Sequence, residues 1–300
     1  MKYHEPVMLS ECIEGLNIKP DSVIVDLTFG GGGHSREILK YLTTGKLIAF
    51  DQDEDAKANV IDDKRFVFVQ HNFRFLSHFL KYHGIEKVDG ILADLGISSH
   101  HIDSPERGFS FRFDGDLDMR MNQSAPLTAS QIINTYSEES LCKLFNDYGE
   151  IKNARKLASV IVQNRKSQPI ESTQQLAQCT RFLVPKAIEN KYLAQMFQAL
   201  RIEVNNELES LKEVLFQTAE VLNPSGRLVI MTYHSLEDRL VKNFIKSGNF
   251  DGKLEKDFYG NIQTPWKSIN KGVTVPCDDE LTSNNRSRSA KLRIAELLDK

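Results

Sequence analysis

The stretch Ser22–Ser35, S-V-I-V-D-L-T-F-G-G-G-G-H-S, decides the fold of this chain. Val23–Val25 is a short apolar, β-branched run typical of a buried strand. The four glycines Gly30–Gly33 follow, and they allow a tight turn and a close approach of the backbone to a ligand. A helical pattern begins directly after them. The order of strand, glycine turn and helix predicts a ligand-binding βα unit in a parallel sheet.

A second strand, Lys46–Phe50, ends in Asp51. This acid comes about 20 residues after the glycines, where nucleotide-binding α/β folds place a side chain that hydrogen-bonds ribose hydroxyls. Glycines that only serve a loop are the alternative explanation. Because strand, turn, helix, strand and acid occur in the expected order, we favour a binding site.

The spacing of the glycines separates two nucleotide-type ligands. A dinucleotide site needs G-x-G-x-x-G, with helix amides facing a pyrophosphate. Gly30 and Gly32 fit the first two places, but Ser35 stands where the third glycine belongs. A ligand without a pyrophosphate is therefore favoured. We expect S-adenosylmethionine, with its methionine part across the glycines and its ribose on Asp51.

The composition of the 300 residues, 40% hydrophobic and 26% charged, predicts a globular protein with a substantial core and one extra subdomain. No apolar run approaches the ~20 residues of a membrane span, and Met1–Ser10 lacks the features of a signal peptide. We therefore expect a soluble, cytoplasmic protein without a membrane partner. The cysteines form no C-x-x-C pair, which predicts buried free thiols rather than disulfides or a metal site. They are Cys12, Cys142, Cys179 and Cys277.

Charge is distributed unevenly along the chain. The segment Lys152–Arg201 contains nine basic residues against Glu171 and Glu189, a net +7 that leaves −10 for the remainder. A positive lobe on an acidic body fits contact with nucleic-acid phosphates, because each neutralised phosphate releases counterions. Solvated helix faces are the alternative. A second basic cluster near the C-terminus weakens that alternative, and it consists of Arg286, Arg288, Lys291 and Arg293.

Strand and helix patterns alternate over residues 1–105, give way to helical patterns over 106–199, and return over 200–300. This order predicts an α/β domain, 1–105 and 200–300, into which a helical domain, 106–199, is inserted. The further predicted strands are Arg65–Val69, Val88–Ala93 and Arg227–Thr232. The predicted helices include Ser137–Asn146, Ala154–Asn164, Ser172–Leu183 and a long one over Asn205–Leu222.

Polar side chains follow four strands of the predicted sheet, at the end where open α/β proteins bind ligands. They are Asp26, Asp51, Asp94 and the group Tyr233-His234-Ser235. We expect Asp94 to lie nearest the substrate, because the fourth strand neighbours the first across the usual switch point. Each of two residues has a structural alternative. The Asp94 side chain caps the next turn, and His234 is a hydrogen-bonded packing residue.

Three phenylalanines, Phe109, Phe111 and Phe113, alternate with polar residues, and an extended backbone places them on one face. One interpretation is a platform that stacks a nucleic-acid base taken out of its helix. The other is a hydrophobic seam between the insertion and the core. Arg201 and Asn205, where the insertion rejoins the core, are predicted to hold either the RNA or the domain hinge.

Several short motifs occur in one order along nearly the whole chain. They are His4-Glu5-Pro6-Val7, Gly32-Gly33-His34-Ser35, Asp94-Leu95-Gly96-Ile97-Ser98-Ser99, Glu106-Arg107-Gly108-Phe109-Ser110-Phe111, Leu117-Asp118-Met119-Arg120-Met121, Phe197-Gln198-Ala199-Leu200-Arg201-Ile202, Val204-Asn205-Asn206-Glu207-Leu208, His234-Ser235-Leu236-Glu237-Asp238-Arg239 and Arg286-Ser287-Arg288-Ser289-Ala290-Lys291-Leu292-Arg293. With these motifs the chain closely resembles the MraW family of ribosomal RNA small-subunit methyltransferases.

The resemblance implies S-adenosylmethionine-dependent N4-methylation of a cytidine in the decoding region of 16S rRNA, with the small ribosomal subunit as partner. It implies a Rossmann-like class I methyltransferase fold with an all-helical, substrate-recognising insertion. The family often has arginine where Gly31 stands, glutamine where His101 stands, and T-R-T where Ala194-Gln195-Met196 stand. The cofactor contacts that it implies are Gly32, Gly33, His34, Asp51, Phe73, Asp94 and His101.

The chemistry of the implied reaction depends on positioning, because the sulfonium already activates the methyl group. The lone pair of a cytosine amino group is delocalised into the ring, and acceptors for its hydrogens localise that lone pair on nitrogen. The amino-methyltransferase signature D/N-P-P-Y/F/W is absent after the fourth strand. We therefore expect Asp94 and the carbonyls of Leu95–Ser98 to act in its place, with His234 as a second catalytic partner.

Other functions remain in view. A methyltransferase acting on DNA or protein would share the cofactor and not the acceptor, whereas an RNA-binding protein without catalysis would not need the glycines, Asp51 and Asp94. A nicotinamide enzyme is disfavoured by Ser35. The sequence leaves the oligomeric state open, a homodimer included.

Overall fold

The computed structural model describes residues 6–260 and 262–299, which form two compact units. The first unit runs up to Gly96 and resumes at Leu208, and the second runs from Ile97 to Glu207. The second unit is longer at both ends than the predicted insertion 106–199, because its last helix continues past residue 199 and its first helix packs within it. His4 and Glu5 of the first motif lie outside the described residues.

The first unit is built on one seven-stranded sheet with the order β3-β2-β1-β4-β5-β7-β6. Neighbouring strands are parallel up to β5, and β7 runs antiparallel to both β5 and β6. Apart from β7, this is the strand order of a Rossmann-like sheet, and it confirms the predicted α/β fold. The strands are β1 Val23–Asp26, β2 Lys46–Asp51, β3 Phe66–Gln70, β4 Val88–Asp94, β5 Leu222–Thr232, β6 Trp266–Ser268 and β7 Lys291–Leu297.

Helices cover the sheet in the first unit and make up most of the second. The central strands read as apolar runs because both faces are buried, each against its own hydrophobic cluster. The described helices are α1 Leu9–Leu16, α2 Gly33–Tyr41, α3 Leu76–Tyr82, α4 Ser99–Asp103, α5 Ala129–Thr135, α6 Glu138–Asp147, α7 Ala154–Ser167, α8 Thr173–Thr180, α9 Glu189–Asn205, α10 Glu207–Val221, α11 Ser235–Ser247 and α12 Asp278–Ser283.

The second unit contains no named strand over its described residues 97–207, so the predicted all-helical insertion is confirmed. Ser137 and Ser172 cap α6 and α8 through their side chains, and Gln175 completes a capping box with Ser172. The predicted helix Ser172–Leu183 ends earlier as an α-helix, at Thr180, and its last residues form a 3₁₀ turn.

Two predicted elements differ from the structure. The long helix predicted over Asn205–Leu222 is α10 and begins later, at Glu207, because α9 ends at Asn205 and Asn206 adopts a left-handed φ of 50° between the two helices. Strand β5 begins at Leu222 and not at Arg227, because Leu222 pairs with Val88 before an irregularity in register. A turn-like Pro-Ser-Gly sequence is thus accommodated as a bulge at the start of a strand.

All four cysteines are free, as predicted, but only Cys12 is buried. Cys142 and Cys179 are half-buried, and Cys277 is exposed, which corrects the expectation of buried thiols. Within residues 6–260 and 262–299, every helix is too short or too polar to cross a membrane.

Candidate active site

The glycine turn joins β1 to α2 and has a backbone that other residues adopt with strain. Gly30 and Gly32 have φ angles of 49° and 74°, in the left-handed region. Gly33 opens α2, and a Cβ on it would lie 2.3 Å from Cγ of Pro6. The Gly32 N–H donates to the Phe29 carbonyl at 2.7 Å, which closes the turn. These constraints explain glycine at three of the four positions.

A guanidinium stands at the turn although position 31 is glycine. Arg36 of α2 donates through Nη1 to the Gly31 carbonyl at 2.5 Å and through Nη2 to the Asn59 carbonyl at 3.1 Å. The family that the chain resembles often has an arginine at position 31. In this chain Arg36 of the following helix places a positive charge at the same turn.

Asp51 ends β2 beside this turn. Its Oδ2 accepts the Gly30 N–H at 2.8 Å, and its Oδ1 accepts the Asp53 N–H at 2.9 Å. A carboxylate oxygen has two lone pairs, so each oxygen retains one for another donor. Burial raises the pKa of Asp51 to about 6, although these two hydrogen bonds act to lower it. The predicted ribose-binding acid thus lies against the glycine turn.

Asp26 and Ser35 form a buried pair that fastens β1 to α2. Ser35 Oγ donates to Asp26 Oδ2 at 2.7 Å, and the Thr28 N–H donates to Oδ1 at 3.0 Å. Asp26 is 1% exposed, and this burial raises its pKa. The serine that replaces the third glycine of a dinucleotide fingerprint is therefore a structural partner of a buried acid.

Asp94 ends β4 and is held from several sides. The Tyr233 hydroxyl donates to Asp94 Oδ1 at 2.7 Å, and the Asp94 N–H donates to Thr28 Oγ1 at 2.7 Å. His34 Nδ1 lies 4.0 Å from Asp94 Oδ2. Burial raises the pKa of Asp94 to about 6, while His34 and the Tyr233 hydrogen bond act to lower it. Asp94 is therefore an oriented carboxylate with a pKa of about 6.

His34 connects Asp94 to the start of the described chain. Its Nε2 lies 3.1 Å from the carbonyl oxygen of Val7. Because a carbonyl only accepts, Nε2 carries the hydrogen of this bond, and Nδ1 is the ring nitrogen that faces Asp94. The buried thiol of Cys12 belongs to the same surroundings, since burial and then the charge of Asp94 raise its pKa. The sequence predicted His34 only as a cofactor contact.

His234 is placed by the first turn of α11. Its side chain caps the helix, with Nδ1 3.5 Å from the Glu237 N–H, and its Nε2 lies 3.1 Å from Glu237 Oε1. Glu237 is 3% exposed and accepts the Tyr233 N–H through Oε2 at 3.0 Å. These contacts fit the packing alternative stated for His234. The catalytic function of His234 stays a prediction.

Phe73 follows β3 in a 3₁₀ turn and is half-buried. Its neighbour Asn72 donates through Nδ2 to Gln52 Oε1 at 2.9 Å, and Gln52 directly follows Asp51. This bond links the ends of β2 and β3. Sequence reasoning missed Gln52 and Asn72, although a pair of polar residues at adjacent strand ends was an available signal. The contact of Phe73 with the cofactor stays a prediction.

His101 and Phe109 form a stacked pair inside the second unit. Their ring centroids are 4.5 Å apart at an interplanar angle of 26°, and the Arg107 guanidinium lies 5.9 Å from the Phe109 centroid. His101 and Phe109 are 5% and 7% exposed. Phe109 belongs to the hydrophobic cluster of this unit. Its ring is therefore already packed, and an open base platform at Phe109 would require rearrangement.

Phe111 packs edge-on against Phe197, with ring centroids 5.5 Å apart, whereas Phe113 is 49% exposed. The three phenylalanines thus do not form one open face. Asn205 is used by backbone contacts: its Nδ2 donates to the Met119 carbonyl at 2.8 Å, and its Oδ1 accepts the Met121 N–H at 2.7 Å.

Arg201 forms a two-pronged ion pair with Glu207, at 2.8 and 2.9 Å. Both side chains are largely buried. Arg201 and Asn205 thus brace the second unit, and their contact with RNA stays a prediction.

The basic segment of the second unit has structural and exposed members. Arg165 donates to the carbonyls of Ile133 and Tyr136, and Arg181 pairs with Glu189 at 3.2 Å. Six others are exposed, and in the described part of the chain their side chains form no hydrogen bond or ion pair. These six are Lys152, Arg155, Lys156, Lys166, Lys186 and Lys191.

The model of the MraW methylase family matches residues 1–298. A relative from Bacteroides fragilis named Ribosomal RNA small subunit methyltransferase H is 59% identical, over 98% of this chain and 97% of its own. A relative of the same name from Flavobacterium johnsoniae is 56% identical, over 99% and 98%. A solved rRNA methylase from Streptococcus thermophilus is 12% identical, with a TM-score of 0.42 over 97% of this chain and 94% of that one. By its family model and relatives, the chain belongs to the MraW methylase family.

Proposed function

We propose that this chain transfers a methyl group from S-adenosylmethionine to N4 of a cytidine in the decoding region of 16S rRNA. The observation that carries the proposal is Asp94, a carboxylate held by Tyr233 and faced by His34 at the end of β4. The names of the relatives support small-subunit rRNA as the class of substrate. Because the small ribosomal subunit is the proposed partner, the proposal includes a cytoplasmic location.

The first unit offers groups that fit S-adenosylmethionine. The turn at Gly32 and Gly33 leaves no room for further side chains, and Asp51 retains acceptor capacity for ribose hydroxyls beside it. Phe73 offers an aromatic ring after the third strand. When bound, the cofactor supplies a methyl group that its sulfonium has already activated.

Asp94 acts on the nucleophile in this mechanism. Its pKa is about 6, so at higher pH the carboxylate is ionised. It then accepts a hydrogen bond from the cytosine amino group, which localises the lone pair on nitrogen. The Tyr233 hydroxyl fixes the orientation of Oδ1 and leaves Oδ2 for this contact. As the new N–C bond forms, the amino group gives one proton to Asp94. His34 Nδ1 faces the same oxygen from 4.0 Å, beyond direct hydrogen-bond distance, so the proton stays on Asp94 in this step.

The second unit is proposed to recognise the RNA. Its exposed lysines and arginines are available to phosphates, since they form no ion pair in residues 97–207. We retain His101 as a proposed cofactor contact, and Phe109, Phe111, Arg201 and Asn205 as proposed RNA contacts. Their internal bonds make them positioning residues as well.

Transfer of labelled methyl tests the function. The chain is incubated with labelled S-adenosylmethionine and with small ribosomal subunits that lack the modification, beside naked 16S rRNA and DNA. Label on one cytidine N4 of the subunits supports the proposal. Label on DNA or on ribosomal protein would assign a different substrate to the enzyme. No label on any RNA, despite measurable cofactor binding, would overturn the proposed rRNA methylation.

A further inference from the structure

A basic cleft opens between α11 and the edge of the sheet at β6 and β7, in the first unit. It has a volume of about 390 Å³, and Lys242, Lys246, Trp266 and Arg293 line it. Among the described residues that line it, none is acidic. A concave surface with three cations and no carboxylate favours an anionic ligand.

Lys242 and Lys246 are one turn apart on the exposed face of α11, so their ammonium groups project to the same side. In the described part of the chain, neither side chain forms a hydrogen bond or ion pair. Arg293 Nε donates to Asp238 at 2.8 Å, and Lys291 lies 3.3 Å from the same carboxylate. Asp238, which does not line the cleft, is thus shared by Arg293 and Lys291, so it neutralises the charge of Arg293 only in part.

Trp266 adds an unused hydrogen-bond donor. The residue is 3% exposed, and its buried Nε1–H has no acceptor within the described ranges. A buried donor without an acceptor costs free energy, and a phosphate oxygen or a water held by one would relieve it. The orphaned indole is an observation independent of the lysines, and it also points to an anion.

A hairpin-like segment beside the cleft presents two aromatic rings to solvent. Lys256 and Ile262 form a β-bridge across it, and the turn between them carries Phe258 and Tyr259, which are 98% and 85% exposed. The segment returns to the cleft at Thr264, one of the lining residues. Large exposed aromatic pairs are unusual on a folded surface, and such rings stack well on nucleotide bases.

We propose that the cleft and the hairpin tip together bind single-stranded RNA, with phosphates on Lys242, Lys246 and Arg293 and a base stacked on Phe258 or Tyr259. The proposal rests on the proposed function, because the RNA is a segment of the rRNA substrate. It assigns this substrate a contact on the first unit, separate from the basic helices of the second. Helix α11 begins at Ser235, two residues after Tyr233 of the candidate active site. At 1.5 Å per residue, Lys242 and Lys246 lie about 10 and 17 Å along the helix from Ser235.

Fluorescence anisotropy with a labelled single-stranded oligoribonucleotide tests the surface in the full chain at several salt concentrations. We expect Lys242→Gln/Lys246→Gln to bind roughly 10-fold more weakly and to lose about 0.7 of the salt slope per phosphate contact. We expect Phe258→Ser/Tyr259→Ser to bind roughly 10-fold more weakly with an unchanged slope, because stacking releases no counterions. Lys19→Gln/Lys81→Gln, exposed lysines outside the cleft, is the matched control.

Wild-type affinity and slope in the cleft variant, or wild-type affinity in the aromatic variant, would overturn the proposal. Methyl transfer separates it from the proposed function. If the wild type methylates small subunits and both variants do so with unchanged KM, the RNA surface is wrong and the function stands. If the variants lose RNA binding but the wild type methylates no RNA, the surface stands and the function is wrong.

Discussion

At the scale of single residues, Asp94 combines orientation with an adjustable charge. The Tyr233 hydroxyl fixes one carboxylate oxygen at 2.7 Å, and His34 faces the other. Burial brings the pKa of the acid to about 6, so a modest change of surroundings moves it between proton donor and acceptor. Groups with such pKa values are typical of catalytic sites.

Asp94→Asn tests this function of the carboxylate. We expect kcat for methyl transfer to fall by about 10²-fold or more, because an amide does not take the proton that the amino group loses. Asp94 is also an implied cofactor contact, but asparagine keeps its shape and one acceptor oxygen, so cofactor affinity measured by calorimetry should fall less than kcat. Tyr233→Phe is the control, since it keeps the carboxylate and removes only its orienting hydroxyl. A kcat near wild type in Asp94→Asn would remove Asp94 from the chemistry.

The pH dependence of kcat and that of KM for the cofactor should distinguish two acids with raised pKa values. Asp94 and Asp51 both titrate at about 6, so each is protonated as pH falls through that value. Protonated Asp94 is a poorer acceptor, which lowers kcat below pH about 6. Protonated Asp51 holds ribose hydroxyls less well, which raises KM for the cofactor over the same range. Asp51→Asn should raise KM at neutral pH and flatten its pH dependence while the fall of kcat remains.

At the scale of elements, the glycine turn depends on what surrounds it. Gly33 meets Pro6 closely, Gly30 is tied to Asp51 through its N–H, and Ser35 is tied to the buried Asp26. The turn is therefore positioned by β1, β2 and α2 together. A change at one glycine should affect the cofactor site more than the rest of the fold.

Gly33→Ala provides the test for the turn. Its Cβ would stand 2.3 Å from Pro6 Cγ, so the turn or the proline must shift. We expect affinity for S-adenosylmethionine to fall roughly 10-fold, with a loss of about 1–3 kcal/mol in unfolding free energy. Gly84→Ala is the control, since Gly84 has open space around it and a positive φ of 69°, so an added methyl group there strains the backbone away from the cofactor turn. Equal cofactor affinities in both variants would contradict the account of the turn.

Local sequence patterns predicted the helices and strands better than the tertiary contacts of their side chains. The apolar runs of β1, β2 and β4 and the helix starts predicted at Ser137 and Ser172 are short-range signals, and the structure confirms them to within one residue. The Ser35–Asp26 bond and the stacking of Phe109 on His101 depend on tertiary packing. No periodicity along the chain encodes such contacts. The same reason explains why an alternating phenylalanine pattern did not become an exposed face.

At the scale of the whole molecule, positive charge is concentrated in one segment of the second unit. The six exposed basic residues of the second unit without an ion pair in residues 97–207 lie in a segment with a net +7. Helix α7 contains no acidic residue, and its buried face is formed by Ala154, Leu157, Ala158 and Ile161. Its exposed face is therefore basic without internal neutralisation, which is typical of a surface that contacts phosphates.

Removing charge from α7 should change substrate binding and not chemistry. We expect Arg155→Gln/Lys156→Gln to raise KM for small subunits several-fold and to weaken the salt dependence of KM. The variant loses two phosphate contacts, so its binding releases fewer counterions. The maximal rate should stay near wild type. Steady-state kinetics at two salt concentrations measure both quantities. Arg155 and Lys156 would be solvated surface residues if KM and its salt dependence were unchanged.

The most direct measurement is nucleoside mass spectrometry of 16S rRNA from unmodified small subunits incubated with S-adenosylmethionine and either the wild type or Asp94→Asn. The predicted result is N4-methylcytidine at one position with the wild type, and its loss with Asp94→Asn although that variant still binds the cofactor. A methyl group on another atom or another nucleoside, or equal yields from the two proteins, would contradict the assignment of Asp94 to cytidine N4 methylation.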